Sequence, residues 1–495
     1  MSEQVYDVAI IGAGMAGMAT AMRLQAKGLS TVILESHGQP GGCAGFYSRR
    51  GFHFDVGATT LVDFTENGIG GDFFKSAGID LPKGEYLDYV LWLPDKHITL
   101  YRDQALWNQE RLSKLGNTND HQDFWRLLDK TSSVFWEASR KGIKLPVKNI
   151  ADLYQAIGAI GLKNISLIQY RNKSMLDVLR KFNLQNDVSL KAFLNMLIED
   201  TLHSDLEHAP FINASLGITI RQAGLMRAEG GMKQFWNILK EKYVSAGGDL
   251  KTAHRVLKFS KDKEYYSIET KKGIFKSKYL VSAVPNMISY QLGPEKIKQK
   301  IQPYLPENID SLGGAVVLCL GVPESEVENQ ALTHHQLFYD YEKPLGEGNN
   351  MFISVSAKGD LLSAPAGFRT VMISTHTDLK SWQNISPQEY DKKKNDLAEK
   401  LIKLARKIYP TLGDNAVVNE AGAPGTYYKF TGRPMGSVGG FKQSFLNSNQ
   451  KAMPQDIGIP DFYQVGDTTW PGLGTVACLI GSKIAADKIM QRISK

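Results

Sequence analysis

Residues 5–35, VYDVAIIGAGMAGMATAMRLQAKGLSTVILE, constrain the fold more than any other stretch of this 495-residue chain. The apolar run Val8-Ala9-Ile10-Ile11 reads as a fully buried strand. It breaks into Gly12-Ala13-Gly14-Met15-Ala16-Gly17, a G-x-G-x-x-G that opens a helix rich in Ala and Met. A second apolar strand, Thr31-Val32-Ile33-Leu34, ends on an acid, Glu35. The parts stand in the order of a dinucleotide-binding βαβ unit. Gly12 permits the tight turn, Gly14 lets the backbone approach a pyrophosphate, and Gly17 lets helix and strand pack closely. The helix N-terminus offers free N–H groups and a positive dipole end to the phosphates. Glu35 lies 21 residues beyond Gly14, close to the roughly 20 expected of a ribose-binding acid.

A chain of this length exceeds one simple core, so two or three domains are expected. Hydrophobic residues make up 42% and charged residues 22%, which suits a globular protein without low-complexity tracts or repeats. The net charge of +7 is mild, and no nucleic-acid motif accompanies it. The Lys-rich stretch from Lys258 through Lys278 to Lys300 reads as wet faces of hairpins and helices, with an anionic membrane surface as the alternative contact. Cys43, Cys319 and Cys478 are scattered without metal-ligand spacing, which points to a reduced compartment and no metal. The first strand begins within a few residues of Met1, leaving no room for a signal peptide. No apolar run approaches the roughly 20 residues needed to span a bilayer. The expected location is cytoplasmic, with peripheral contact at a membrane surface as its variant.

The residues after Glu35 distinguish the cofactor. Ser36 to Gly45, SHGQPGGCAG, places Gly41 and Gly42 after a proline, where backbone passes close to something. The alternating stretch Gly51 to Thr60 follows, ending in Gly57, Ala58, Thr59 and Thr60. A nicotinamide dehydrogenase would continue here into another βα repeat. This chain instead has a glycine-rich crossing and a short ribbon, as around an extended flavin dinucleotide. At the other end, the strand Phe462 to Gly466 leads to the acid Asp467, then to TTWPGLGTV and an amphipathic helix, Ala477 to Ile493. Asp467 suits a ribityl hydroxyl, and the glycine-rich helix start at Gly474, Thr475 and Val476 suits the pyrimidine edge of an isoalloxazine. Between the ends, Val256–Phe259 and Tyr265–Thr270 predict a hairpin around Lys261-Asp262-Lys263. The buried strand Tyr279 to Pro285, including Ala283, would complete the cofactor domain.

Taken together, GAGMAG, PGGCAGFYSRRGFHFDVGATT, GGMKQFW, YLVSAVPN and YQVGDTTWPGLGTVACLIGSKIAAD resemble the FAD-dependent carotene desaturase and carotenoid isomerase family. That family is kin to retinol saturases and, more distantly, to monoamine oxidases. The matching stretches span both ends and the middle of the chain. GGCAGFYSRRGFHFDVGATTLVDF, with WNQERL and DFWRLLD, looks closest to bacterial C-3′,4′ carotenoid desaturases. The resemblance implies that Gly12, Gly14, Gly17, Glu35, Gly41, Gly42, Gly57, Val256, Ala283, Asp467 and Gly474 to Val476 line FAD. Their neighbours Ala13, Met15, Ala16, Ser36, Cys43, Ala58, Thr59, Pro285 and Gly466 belong to the same expected lining. One departure stands out: amine oxidase relatives often place an arginine after the paired glycines, where this chain has Cys43.

The implied fold is α/β, a Rossmann-type FAD-binding domain with a parallel sheet plus an α+β substrate domain, as in amine oxidases and phytoene desaturases. Residues 1–70, 225–290 and 431–495 are assigned to the first, and 71–224 and 291–430 to the second. The earlier insertion reads as mainly helical. The later one mixes strands such as Ala315–Leu320 and Phe352–Val355 with a charged helix near 386–408. Ala151 to Tyr170, apolar yet interrupted by glycine and Lys163, is either an interfacial helix or an internal helix pair.

No Ser/His/Asp set, P-loop or H-E-x-x-H occurs. Flavin desaturation asks the protein for a positioned C–H bond and a route for a proton. The candidate acceptors are Glu199 and Asp200, in LIEDTLH; a helix-terminal cluster without catalytic role is the plainer reading, and His203 reads as structural. The leading function is desaturation of a carotenoid or similar apolar polyene. The alternatives are cis–trans isomerisation or retinol saturase-like reduction with reduced FAD, amine oxidation, and a non-enzymatic lipid escort of the GDP-dissociation-inhibitor type. The flavin cradle at Asp467 argues against the escort.

Overall fold

The computed structural model describes residues 4–494. Val5–Ile11 forms the centre of a seven-stranded sheet, with Thr31–Leu34 and Gly273–Ser282 parallel on either side. Asp249–Lys251 extends it beyond Thr31–Leu34, and Phe462–Gln464 runs parallel beside Gly273–Ser282. Val8, Ala9 and Ile10 are fully covered, because helices or loops close both faces of such a sheet. That double burial is why the run is continuously apolar. The predicted hairpin is present as Val256–Lys261 and Tyr266–Thr270, paired antiparallel and joined antiparallel to Gly273–Ser282. Asp262 shapes its turn by accepting from the Glu264 and Tyr265 N–H groups. The helix Met15–Gln25 packs against the C-terminal helix Thr475–Ile493, through small residues such as Ala16, Ala19 and Ala485.

A second seven-stranded sheet runs in the order Val418–Gly422, Gly314–Pro323, Phe368–Thr377, Asn350–Val355, His334–Phe338, Tyr89–Trp92, His97–Leu100. Its pairs are antiparallel except His334–Phe338 with Tyr89–Trp92. One face, with Leu318, Leu320 and Ile373, packs on Leu401 and Leu404 of the helix Pro387–Ala405. Ser386 starts that helix with a capping box to Glu389. The helices Gln104–Leu115, Asn119–Arg140, Val188–Leu202 and Phe211–Ile218 share an aromatic core of Trp107, Trp125 and Phe193.

Two sequence expectations are modified. The mainly helical first insertion also contributes Tyr89–Trp92 and His97–Leu100, which complete the sheet of the second insertion. The alternating stretch from Gly51 to Thr60 is strand only over Phe52–Asp55, hairpinned with Phe46–Arg49. Beyond it the backbone leaves the ribbon to cross the Cys43 segment, where a Cβ at Gly57 would sit 2.1 Å from the Cys43 carbonyl oxygen. Ala151 to Tyr170 folds as a helix, Ile150–Ile160, and a 3-10 stretch, Leu162–Asn172. Ala156, Ala159 and Ile160 pack inward, whereas Ile150, Leu153 and Tyr154 are exposed. No described helix is long and apolar enough to cross a membrane.

Candidate functional site

A cavity of about 1320 Å³ is lined by residues of both sheets. That exceeds the roughly 300–1,000 Å³ of ordinary small-molecule clefts, leaving room for an extended cofactor and a second ligand. Gly14 begins the helix Met15–Gln25, and Gly474 begins Thr475–Ile493, neither with a side-chain cap. Both glycines line the cavity, and a Cβ built on either meets no protein atom within 4 Å. Two helix N-termini with uncapped N–H groups therefore border one space, which suits an anionic and carbonyl-bearing ligand.

Around this cradle each glycine has a separate reason. At Gly17 a Cβ would stand 2.0 Å from the Gly12 carbonyl oxygen and 3.0 Å from Ala283 Cβ. The Gly41 N–H donates to the Ala13 carbonyl at 3.0 Å, docking the PGG loop on the GAG loop. Gly41 has φ +135°, and its Cβ would lie 2.6 Å from Gly45 Cα. Glu35 accepts from the Ala13 N–H and the His37 N–H, both at 2.7 Å, and still borders the cavity. The glycine loop thus presents the acid to the ligand already oriented.

At the opposite end, Asp467 pairs with Arg433 at 2.9 Å, the side chains being 16% and 10% exposed. Burial opposes the Arg433 charge, yet Asp467 and then Cys43 hold the guanidinium above its ordinary range. The Cys43 thiol is pushed up, by burial first, with the Arg433 guanidinium beside it acting in the other direction. An arginine from residue 433 therefore stands next to Cys43, the position after the paired glycines. Cys43, Cys319 and Cys478 are all unbonded.

The remaining wall is mostly one face of the second sheet. Ala315, Val317 and Cys319 alternate along one strand, and Met372, Ser374 and His376 along its neighbour. Polar groups interrupt it at the end of the helix Val188–Leu202. Asp200 accepts from Arg221 Nη2 at 3.3 Å and Gln336 Nε2 at 3.0 Å, and burial raises its carboxyl above the usual range. His203 ends the helix at φ +52°, a left-handed position that glycine ordinarily takes. Its ring fills space left by Gly313 and Gly439, where a Cβ would come within 2.4 and 2.6 Å. The His203 and His376 centroids are 5.0 Å apart. Burial, then His376, keeps His203 well below its ordinary range. Burial also works to lower His376, but Glu199 at 3.3 Å and Asp200 outweigh it and raise the group.

Of the expected cofactor residues, Gly12, Gly14, Met15, Ala16, Glu35, Ser36, Gly42, Cys43, Gly57, Ala58 and Thr59 border the cavity. So do Val256, Ala283, Pro285, Gly466, Asp467, Gly474, Thr475 and Val476. Ala13, Gly17 and Gly41 stand behind that wall, holding the loops through the contacts just described. Asp200 is on the wall. Glu199 is not; it accepts from Asn350 and pairs with His376. Arg433, Arg221, His376 and Tyr89 also border the cavity, and no local motif in the sequence marked them. Among the described residues, no group of His, Cys, Asp and Glu could hold a metal ion.

A family model described as an NAD(P)-binding Rossmann-like domain matches residues 10–77. Along nearly its full length the chain is similar to "Prolycopene isomerase 1, chloroplastic" of an Oncidium hybrid cultivar, 24% identical over 98% of this chain and 84% of the relative. It is also similar to a 4,4′-diapophytoene desaturase of Staphylococcus aureus (strain COL), 22% identical over 99% of both chains. Among solved structures, cyclohexylamine oxidase from Brevibacterium oxydans IH-35A shares the fold, with TM-score 0.63 and 14% identity over 99% of this chain and 100% of that one.

Proposed function

We infer that this chain, which belongs to the carotenoid desaturase and isomerase family, is an FAD-dependent oxidoreductase that desaturates a carotenoid or related apolar polyene. The observation that supports this most is the shared cavity. One space runs from the dinucleotide cradle to an apolar sheet face, with a small buried polar group set beside it. FAD fits the residues present, because Gly14 and Gly474 keep open ground before two uncapped helix starts.

When bound, FAD supplies a ring able to take a hydride from a C–H bond. Met15–Gln25 would hold the pyrophosphate at its N-terminus, and Glu35 would accept from ribose hydroxyls. Asp467, freed in part from Arg433, would accept from a ribityl hydroxyl. The face of Ala315, Val317 and Met372 would hold the polyene in line and keep water away. Asp200 would receive the proton that leaves the neighbouring carbon, and Glu199 would act through His376. Carotenoid isomerisation with reduced FAD is the second reading, favoured by the prolycopene isomerases among the relatives.

Anaerobic incubation of the flavin-loaded protein with lycopene-type polyenes, once with the flavin oxidised and once with it reduced beforehand by dithionite, separates the readings. A product with a longer chromophore and two fewer hydrogens is expected. Unchanged mass with an altered spectrum gives isomerisation, and a shortened chromophore gives saturation. A colourless protein that cannot be reconstituted with FAD overturns all three. Asp200→Asn should lower single-turnover rate about a hundredfold at unchanged flavin content, the low end for general base catalysis because a polyene spreads charge. An unaltered rate removes Asp200 from the chemistry. A cytoplasmic protein lying at a membrane surface is the location that suits such a substrate.

A further inference from the structure

The helix Ile150–Ile160 is apolar on both sides. Ala156, Ala159 and Ile160 pack inward, while Ile150, Leu153 and Tyr154 recur at helical spacing on the outside, 72%, 48% and 73% exposed. The next turn adds Leu162 and Ile165, 75% and 45% exposed. Scattered exposed apolar residues are ordinary, but five within sixteen positions form a patch that asks for a covering surface.

Charge identifies that surface. Between residues 141 and 173 the sequence has six basic residues and one acid, Asp152. That local net charge of +5 is most of the +7 of the whole chain. Lys144, Lys163, Arg171 and Lys173 make no ion pair among the described residues. A second copy of this chain meeting the patch face to face would set the unpaired Lys144, Lys163, Arg171 and Lys173 against their own copies across a two-fold axis, so self-association is disfavoured. A bilayer rich in anionic lipid matches both properties, apolar side chains entering the acyl boundary and basic ones meeting headgroups.

We propose that residues 141–173 form a docking surface for an anionic lipid bilayer, with Leu153, Tyr154 and Leu162 as the inserting side chains. The proposal deepens the polyene reading and rests on it for its purpose, since a polyene substrate resides in lipid. The surface feeds the 3-10 stretch Leu162–Asn172, which packs on the helix Phe211–Ile218, and Ile220 just beyond borders the cavity.

The test is sedimentation of the flavin-loaded full chain with vesicles of phosphatidylcholine alone or with phosphatidylglycerol. Binding to the anionic vesicles should be at least about tenfold tighter and should weaken with salt. Reversing Lys144, Lys163 and Arg171 to Glu should remove that preference. Leu153→Ser with Leu162→Ser should abolish the salt-resistant fraction while melting and flavin content stay unchanged. Equal binding to both vesicles, no binding, or variants that sediment like the parent overturn the proposal. Turnover in detergent micelles is measured alongside. Turnover without vesicle binding refutes the docking surface alone, whereas vesicle binding without turnover refutes the polyene reading alone.

Discussion

Gly14→Ala should yield a normally folded protein that no longer retains flavin, whereas Gly17→Ala should lose both flavin and stability. The two glycines are three residues apart in one motif, yet their surroundings are opposite. Gly14 has φ −75° and ψ −178°, open to any residue, and its Cβ would project into empty cavity. A methyl group there leaves protein packing alone and takes the ground a pyrophosphate oxygen must approach. At Gly17 the methyl meets the Gly12 carbonyl at 2.0 Å, so either the helix Met15–Gln25 or the glycine turn must move. Overpacking of this kind costs about 1–3 kcal/mol, and backbone on the receiving side puts it at the upper end. Gly38→Ala, with nothing within 4 Å, is the control and should change neither property. Flavin absorbance after gel filtration and thermal melting of the flavin-free proteins check all three. A destabilised Gly14→Ala, or a Gly17→Ala that keeps flavin, contradicts the cradle.

Arg227→Met should produce the largest loss of stability of any single side-chain change away from the glycines. Arg227 and Asp55 pair directly, with side chains 5% and 4% exposed. Asp55 also accepts the Met232 N–H at 2.8 Å, tying the hairpin of residues 46–55 to the start of the helix Gly231–Ser245. Removing the guanidinium leaves a buried carboxylate with one backbone donor, at a cost of about 3–5 kcal/mol. Replacing both partners, Asp55→Leu with Arg227→Met, removes the stranded charge and should recover a large part of the loss. Comparing the melting of the single and double variants decides it. A single variant as stable as the parent would show that water reaches Asp55.

What could be read from the sequence was what is written locally. Val8–Ile11, Thr31–Leu34 with Glu35, and the hairpin on either side of Asp262 each carry their own period and turn residues. They appear in the structure within a few residues. Tyr89–Trp92 and His97–Leu100 were hidden inside a helical insertion because strands of four residues give little periodic signal. His334–Phe338, the partner of Tyr89–Trp92 on the other side, lies more than 230 residues away. Asp200 and His203 stood together in LIEDTLH, but their partners Arg221 and His376 were out of reach for the same reason. Asp200 and His203 share one helix end, but Arg221 and His376 come from other elements, and only the packing of sheet on helix end assembles the four. Arg433 beside Cys43 is the sharpest instance: the sequence showed an arginine missing after the paired glycines, and nothing local indicated that one arrives from residue 433.

The cofactor cradle also sets a timetable on the ribosome. Gly14 emerges before its counterparts, and the strand Phe462–Gln464 and the helix start at Gly474 follow roughly 450–460 residues later. At about 5–20 residues per second, the first glycine loop waits on the order of half a minute to a minute and a half for its counterpart. Over that interval the nascent chain has half a binding site, and the apolar edge of Gly273–Ser282 stands without its last partner strand. Cofactor capture therefore waits for the second half of the cradle, and a chain released before Gly474 should hold no cofactor and be prone to aggregate.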